Sequence, residues 1–429
     1  MMNSETIKNA NDISVKIVSD NYKRVGKYII PNEWNIKKLK DLIGDLQGGV
    51  SVNSDDGRVS ENDFAVLKVG CVLDGMFKPE ECKKIKKEEI DRARINPLKD
   101  RIIISRANTP ELVGSVGLVE KDYKNLFLSD KLWQATYSTK LDSRWLANIL
   151  STKKIKNRIT LLATGTSRSM QNISKESFLS IDIPVPTYEE QKKITEIILS
   201  VDKIIELKGK LLKEKQRQKK GLMERLLTGK VRLNGSNEEV KMTKLKGYIS
   251  EIKDKNKDNR EKKVLSVTNK QGFILQEEQF DRIVASSDLS NYKIVTKGQF
   301  AYNPSRINVG SIDLLTRFES GLLSPMYVIF ECENRLNSDY LYQFLKSDLF
   351  LNYIPRLLQG SVRDSLSFEA LQQVKLFIPS LEEQKKISNL LKVSDVEIEL
   401  LQKEIELLKE QKKGIIQLLL TGIVRVKCD

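Results

Sequence analysis

The chain has 429 residues, with 73 Lys and Arg against 58 Asp and Glu, no His and four Cys, for a formal net charge of +15. That length predicts two to four compact units at roughly 100–200 residues each, and the excess positive charge predicts a polyanionic partner, most simply nucleic acid. The absence of His excludes a Ser-His-Asp triad, a Cys-His dyad and any His-containing metal site. Cys71, Cys82, Cys332 and Cys428 form no Cys-x-x-Cys pair, so free thiols in a reduced, cytoplasmic setting are expected. The N-terminus lacks a signal pattern, and the apolar run Gly321–Phe330 contains Pro325 and is too short to span a bilayer, so a soluble protein is expected.

In chain order, residues 1–30 read as a polar N-terminal arm and residues 31–183 as the first variable domain. Within it the β-branched runs Arg101–Ser105 and Val113–Val119 predict strands, and Ser143–Leu150 has helical spacing. Residues 184–234 predict one long helix. It is entered through Pro184 and Pro186, opened by a Thr187/Glu190 capping box and closed at Gly229. Residues 235–378 form a second variable domain whose first part, 235–263, is rich in Lys, Asn, Glu and Asp and reads as a solvated entry. Val264–Thr268 and Tyr327–Phe330 predict strands there, and Ser338–Leu345 a helix. Residues 379–429 predict a second long helix, opened by Ser380/Glu383 and closed at Gly422.

The two long segments are copies. Residues 189–233 and 382–426 align without a gap at an offset of 193, with about 21 of 45 positions identical, and the match continues more weakly upstream from Gly165 and Gly360. Ile194, Ile198, Val201, Ile205, Leu212, Leu222 and Leu226 repeat with heptad spacing, interrupted by Lys208, Lys215 and Lys219. Ile387, Leu391, Ile398, Leu401, Ile405, Leu408, Ile415 and Leu419 do the same, interrupted by Ser394 and Lys412. Such a sustained seam argues for a coiled coil. Because the first helix leaves one domain and reaches the other, and the second leaves the other, paired helices must run antiparallel. Charge agrees: the first copy holds 13 basic and 7 acidic residues, the second 8 of each. The expected fold is mixed α/β: two α/β recognition domains separated by two long antiparallel coiled-coil helices, a dumbbell with a pseudo-twofold internal repeat and a bar of roughly 58 Å.

Autonomous catalysis is disfavoured. Around Gly229-Lys230 the phosphate-loop pattern fails, because Glu224 stands where its first Gly belongs and Val231 follows the Lys. Tyr302-Asn303-Pro304-Ser305 approaches an amino-methyltransferase motif but lacks its second Pro and aromatic, and it reads as an Asn-Pro turn. Glu251-Ile252-Lys253 resembles a nuclease fragment of the sort that any highly charged sequence contains.

The order of variable domain, Pro-x-x-Glu-Glu-Gln-Lys-Lys-Ile helix ending Leu-Leu-Thr-Gly, second variable domain and second such helix resembles the DNA-specificity (S) subunit of type I restriction-modification systems. Further segments share the resemblance: Trp34–Leu39, Ser105–Gly114, Leu126–Trp133, Pro325–Val328 and Gly360–Phe368. One departure is GTSRSMQNIS in the first copy against GSVRDSLSF in the second. The resemblance implies a non-catalytic subunit whose two target-recognition domains each read half of a split double-stranded DNA sequence. Its helices would dock two methyltransferase subunits, and restriction (motor-nuclease) subunits would complete the complex. No cofactor is expected on this chain; S-adenosylmethionine, ATP and Mg belong to the partner subunits.

Side chains that read bases or grip phosphates are Arg, Lys, Asn and Gln. Loop clusters of that composition comprise Gln47, Arg58, Arg92, Arg94, Arg101, Arg106 and Asn108 in the first domain, and Asn269, Lys270, Gln271, Asn303, Arg306 and Asn308 in the second. Arg168 and Arg363 are paired by the repeat. For each residue a solvated charge or structural turn competes with DNA contact, and Trp133, Tyr302, Tyr327 and Phe330 are read as core. Two rivals stay open: a basic coiled-coil scaffold that binds DNA by charge alone, and a fused enzyme.

Overall fold

The computed structural model describes residues 22–60, 62–167, 170–233, 241–269, 271–279, 288–358 and 365–426. The chain divides into two units, one of residues 1–206 with 406–429 and the other of residues 207–405, so the division passes through both long helices.

In the first unit the β-branched run forms the wholly buried strand Ile102–Ser105 at the middle of a six-stranded mixed sheet. The strand order is Ile43–Gly48, Leu132–Tyr137, Ile102–Ser105, Val116–Leu118, Gly75–Phe77 and Val72–Leu73, with the pairing of Val116–Leu118 to Gly75–Phe77 parallel. Asp142 accepts from the Trp145 amide and starts helix Ser143–Leu150, which contributes Trp145, Leu146, Ile149 and Leu150 to the core. A second, four-stranded sheet joins Leu126–Phe127, Ala65–Leu67, Cys82–Ile85 and Ser54–Asp55. The end of the segment read as an N-terminal arm is folded, while residues 1–21 lie outside the described residues. Tyr22–Val25 and Tyr28–Pro31 form a hairpin whose apolar second strand sends Tyr28 and Ile30 into the core.

The second unit has a four-stranded antiparallel sheet in the order Ile249–Ile252, Val328–Cys332, Phe300–Tyr302, Ile312–Leu314. Phe300 and Phe330 stack within it, centroids 5.0 Å apart. Asn337 caps helix Ser338–Leu345 as Asp142 caps its counterpart. The stretch read as a solvated entry over 235–263 also holds two strands: Met242–Lys244 pairs with Lys375–Phe377, and Ile249–Ile252 is an edge strand of the main sheet; residues 235–240 lie outside the described residues. The charged residues that follow this strand, at 253–255, 257, 258 and 260, are exposed, as the sequence suggested.

The long helices span Tyr188–Leu227 and Leu381–Thr421. The predicted seam is the buried face. Ile194, Ile198, Leu226, Ile387, Leu391, Leu401, Ile405 and Leu419 are buried, and Val201, Ile205, Leu212, Leu222, Ile398, Leu408 and Ile415 are half-buried. In both units the helices run antiparallel, as their cross-pairs show: Lys208–Glu404 at 2.8 Å, Lys215–Glu397 at 2.6 Å and Lys219–Asp395 in the second unit, and Lys412–Asp202 at 2.5 Å in the first. Each Lys that interrupts the seam is thus matched by a carboxylate on the other helix. Gly229 and Gly422 end the helices at φ of 74° and 75°, a conformation that a side chain would strain.

The capping boxes are only half used. The amides of Glu190 and Glu383 do donate to Thr187 Oγ1 and Ser380 Oγ, but the two carboxylates turn elsewhere. Glu190 takes the Arg425 guanidinium at 2.8 Å and the Trp34 indole N–H at 2.8 Å; Glu383 takes Arg232 at 2.9 Å and the Leu233 amide at 3.1 Å. Both glutamates are 1% exposed. The neighbouring Gln191 and Gln384 each accept from the cap residue of a domain helix, Asp142 N and Asn337 N, and donate to Pro186 O and Pro379 O. The Glu-Glu-Gln motif therefore welds each domain to a long helix and to the tail of the other.

Removing one partner of a buried pair strands the other, so Glu383→Gln should cost about 3–5 kcal/mol of unfolding free energy in denaturant titration. The Arg232 hydrogen bond holds the Glu383 carboxyl below the usual range. Its contribution is therefore complete above the ordinary Glu value and disappears as pH falls through the lowered one. The variant should accordingly lose part of the acid limb of the stability profile. Leu401→Ala should cost about 2–5 kcal/mol, and the half-buried Leu408→Ala less; unchanged melting of the double variant would contradict the seam.

Candidate nucleic-acid interface

In the first unit, strand pairing gathers some of the candidate residues and separates others. Gly48 lies opposite Trp133, and Leu132 opposite Ser105, so Gln47, the Ser105–Asn108 turn and the start of Leu132–Tyr137 share one end of the main sheet. Ala107–Asn108 then pairs with Met170–Asn172, which in turn pairs with Thr164–Ser167. Arg106 sits there, its guanidinium 5.8 Å from the Trp133 ring centroid. Arg101 lies at the opposite end of the same strand over Tyr137, at 5.2 Å. Arg58, Arg92 and Arg94 follow strands of the second sheet, where Arg92 pairs with Glu89 at 2.7 Å and Arg94 donates to the Asp91 and Ala93 carbonyls.

Asn108 is 9% exposed; its Oδ1 accepts from the Thr109 amide and its Nδ2 donates to Ser105 Oγ. These bonds commit the amide to the turn. Gln171 and Met170, absent from the sequence-based set, stand at the same edge, Gln171 half-buried and Met170 exposed. Strand pairing across some 60 residues put them there, and no local pattern carries that information.

The second unit builds its counterpart from two loops. Hairpin Leu265–Thr268 to Gly272–Leu275 carries Asn269 and Gln271, both exposed, at its turn. Ser311 Oγ donates to Val267 O at 2.7 Å and the Phe273 amide to Asp313 Oδ2 at 3.2 Å, which fastens the hairpin beside the loop bearing Arg306 and Asn308. Both of those side chains are exposed, whereas Asn303 is 9% exposed and caps the short helix Pro304–Val309 through the Ser305 amide. That cap is the Asn-Pro turn expected from sequence. Tyr302 beside it is fully buried, its hydroxyl donating to Leu366 O. Arg168, Lys270 and Arg363 lie outside the described residues.

The loops of the two units share two backbone hydrogen bonds. Ser105 N donates to Ser115 O and Asn303 N to Ser311 O; Ile173 N donates to Arg106 O and Leu366 N to Pro304 O. Ser174 and Ser367 cap the helices that follow. Val113-Gly114-Ser115 and Val309-Gly310-Ser311 share a left-handed Gly, φ 73° and 85°. The flanks of the unequal loops GTSRSMQNIS and GSVRDSLSF therefore occupy equivalent positions.

Among the described residues no group of three or more Cys, Asp or Glu side chains could hold a metal ion. Burial pushes the Cys71 thiol far above its ordinary value and the Cys332 thiol up to about 12, which leaves both as inert packing groups. The arrangement can donate and accept hydrogen bonds from exposed loops held by rigid strands.

The chain matches the family described as type I restriction modification DNA specificity domain twice, over residues 31–216 and 237–410. It is 25% identical to the type I restriction enzyme MjaVIII specificity subunit of Methanocaldococcus jannaschii, over 95% of this chain and 97% of that one. Its fold resembles the type I restriction-modification S subunit of M. genitalium, with a TM-score of 0.52 and 16% identity over 93% and 98% of the two chains. It also resembles a chain from a structure concerned with complex assembly and conformational transition of the type I R-M system, with a TM-score of 0.58 and 14% identity over 92% of this chain and 100% of that one. Two matches that together span most of the sequence, each running from one variable domain into one of the long helices, place the chain in the type I restriction-modification DNA specificity family.

Proposed function

We propose that this chain reads a bipartite duplex DNA sequence, one half-site per domain, and lends that specificity to separate methyltransferase and restriction subunits without chemistry of its own. The observation that carries this reading is the correspondence of the two loop systems: one hydrogen-bonded framework, built twice, presents different Arg, Asn and Gln side chains each time. S-adenosylmethionine, ATP and Mg then act on the partner chains. A uniform basic scaffold would need no such framework, because charge binds DNA without fixed loop geometry.

The helices supply the docking surface. With the seam at heptad positions a and d, Leu207 and Leu211 of the first helix fall at c and g, and Val393 and Leu400 of the second both fall at c. In an antiparallel pair the g flanks lie side by side, so these four residues share one side of the second unit's helix pair. They are 51%, 44%, 66% and 61% exposed. An apolar stripe of that kind suits a partner helix.

Two experiments test the proposal. Replacing residues 31–183 with the corresponding domain of another specificity subunit should change one half of the motif mapped by methylation sequencing in cells that carry the partner subunits. A change in both halves, or a continuous native motif, would refute independent half-sites. Leu207→Lys with Leu400→Lys should abolish co-purification of the methyltransferase subunit and leave the melting temperature of the isolated chain within about 2 °C, since exposed positions contribute little to folding. Undiminished co-purification would remove the stripe from the docking surface.

A further inference from the structure

Most arginines in the first domain are accounted for by the fold. Arg92 is paired with Glu89, Arg144 with Glu120 and Arg158 with Asp182, while Arg101 rests on Tyr137. Arg106 differs. It is half-buried, and its Nε is shielded from solvent with no hydrogen-bond partner. Among the described residues its guanidinium makes no hydrogen bond and no ion pair. A shielded polar atom without a partner costs stability unless something outside the chain satisfies it.

The surroundings hold the group ready for an external acceptor. Its backbone is fixed on both sides, the amide donating to Lys131 O at 2.9 Å and the carbonyl accepting from Ile173 N at 3.0 Å. Trp133 provides a shelf beneath the guanidinium, and that ring is itself locked edge-on against Phe178 at 6.3 Å. On the neighbouring strand opposite Trp133 stands the exposed Gly48, with no side chain of its own to lie over the indole. Gln47 precedes Gly48 on the same strand, and Gln171 lies opposite Asn108 just beyond the turn.

Building on the DNA-reading function argued above, we infer that Arg106 is a specificity-determining residue of the first domain, offering its planar fork to a pair of acceptors on the duplex. Guanine O6 and N7 or two oxygens of one phosphate present that chemistry. The repeat favours the base. The residue that accepts the matching backbone hydrogen bond in the second domain is Pro304, and the Arg of that loop, Arg306, stands two positions further on and exposed, so the two domains do not present the fork from the same place, whereas a backbone grip would serve both half-sites alike.

The test uses the full chain, the duplex motif mapped in cells, and Arg106→Met, which keeps the stem on Trp133 and removes the fork. Affinity for the native duplex should fall about tenfold or more, with unchanged melting and unchanged discrimination at the second half-site. If the source is guanine, 7-deazaguanine at one position of the first half-site weakens the wild type by a similar factor and leaves Arg106→Met unaffected. If it is phosphate, one methylphosphonate does so instead, and the salt dependence of binding falls by about one charge. The inference is overturned if Arg106→Met binds as tightly as the wild type, or if it melts early and loses both half-sites together. A wild-type chain with no preference among duplexes would instead refute the DNA-reading function itself.

Discussion

Glu190 and Glu383 place a carboxylate at an almost fully buried site, and the rest of the chain is arranged so that neither charge is left alone. Desolvating a carboxylate costs several kcal/mol, which only a close cation with additional hydrogen bonds offsets. In each unit that cation is an arginine three residues beyond the Gly that ends the other long helix, Arg425 after Gly422 and Arg232 after Gly229. The pairing has a topological consequence. A domain, the first turn of one helix and the tail of the other have to meet at one point, so neither helix can slide or reverse without exposing a bare charge to an apolar core.

The lysines of the seam extend the same logic along the helices. A seam of leucines alone is permissive, since shifting it by one heptad buries nearly the same area. Lys219 facing Asp395, and its repeat counterpart Lys412 facing Asp202, fix one register in each unit. Gln343 ties this lock to the second domain through Asp395 at 2.9 Å. Its counterpart on the first domain's helix is Asn148, one methylene shorter, and the Asn148 Nδ2 is buried without a partner. The two locks are thus built alike but finished differently.

Much of this was legible in the sequence, for an identifiable reason. The helices, their ends and the seam follow from periodicity and capping residues near in sequence, and their antiparallel sense from the order of the repeated segments along the chain. The role of the Glu-Glu-Gln motif was not legible. A Glu three residues after Thr or Ser looks like a capping box, and only a partner some 150 to 235 residues away redirects its carboxylate. Residue type identified the loop candidates but could not divide them. Asn108 and Asn303 satisfy neighbouring amides, Arg92 meets a carboxylate one turn away, and Arg306 and Asn308 face outward, a distinction that depends on loop geometry and burial rather than on composition.

That division also explains how one chain can keep its architecture while its two domains differ. Residues that hold the framework are buried and paired, so changing one costs about 3–5 kcal/mol, a large share of the whole stability of a domain. Residues at the loop tips are exposed and pair with little of the chain, so most substitutions there cost within about 0.5 kcal/mol. The internal repeat records both regimes. Arg232 and Arg425, Glu383 and Glu190, and Gln384 and Gln191 are identical across the copies, whereas Arg106 corresponds to Pro304 and the loops after Gly165 and Gly360 differ in length. A recognition protein needs that combination, because a reading residue can be exchanged for another only when the position that presents it stays fixed.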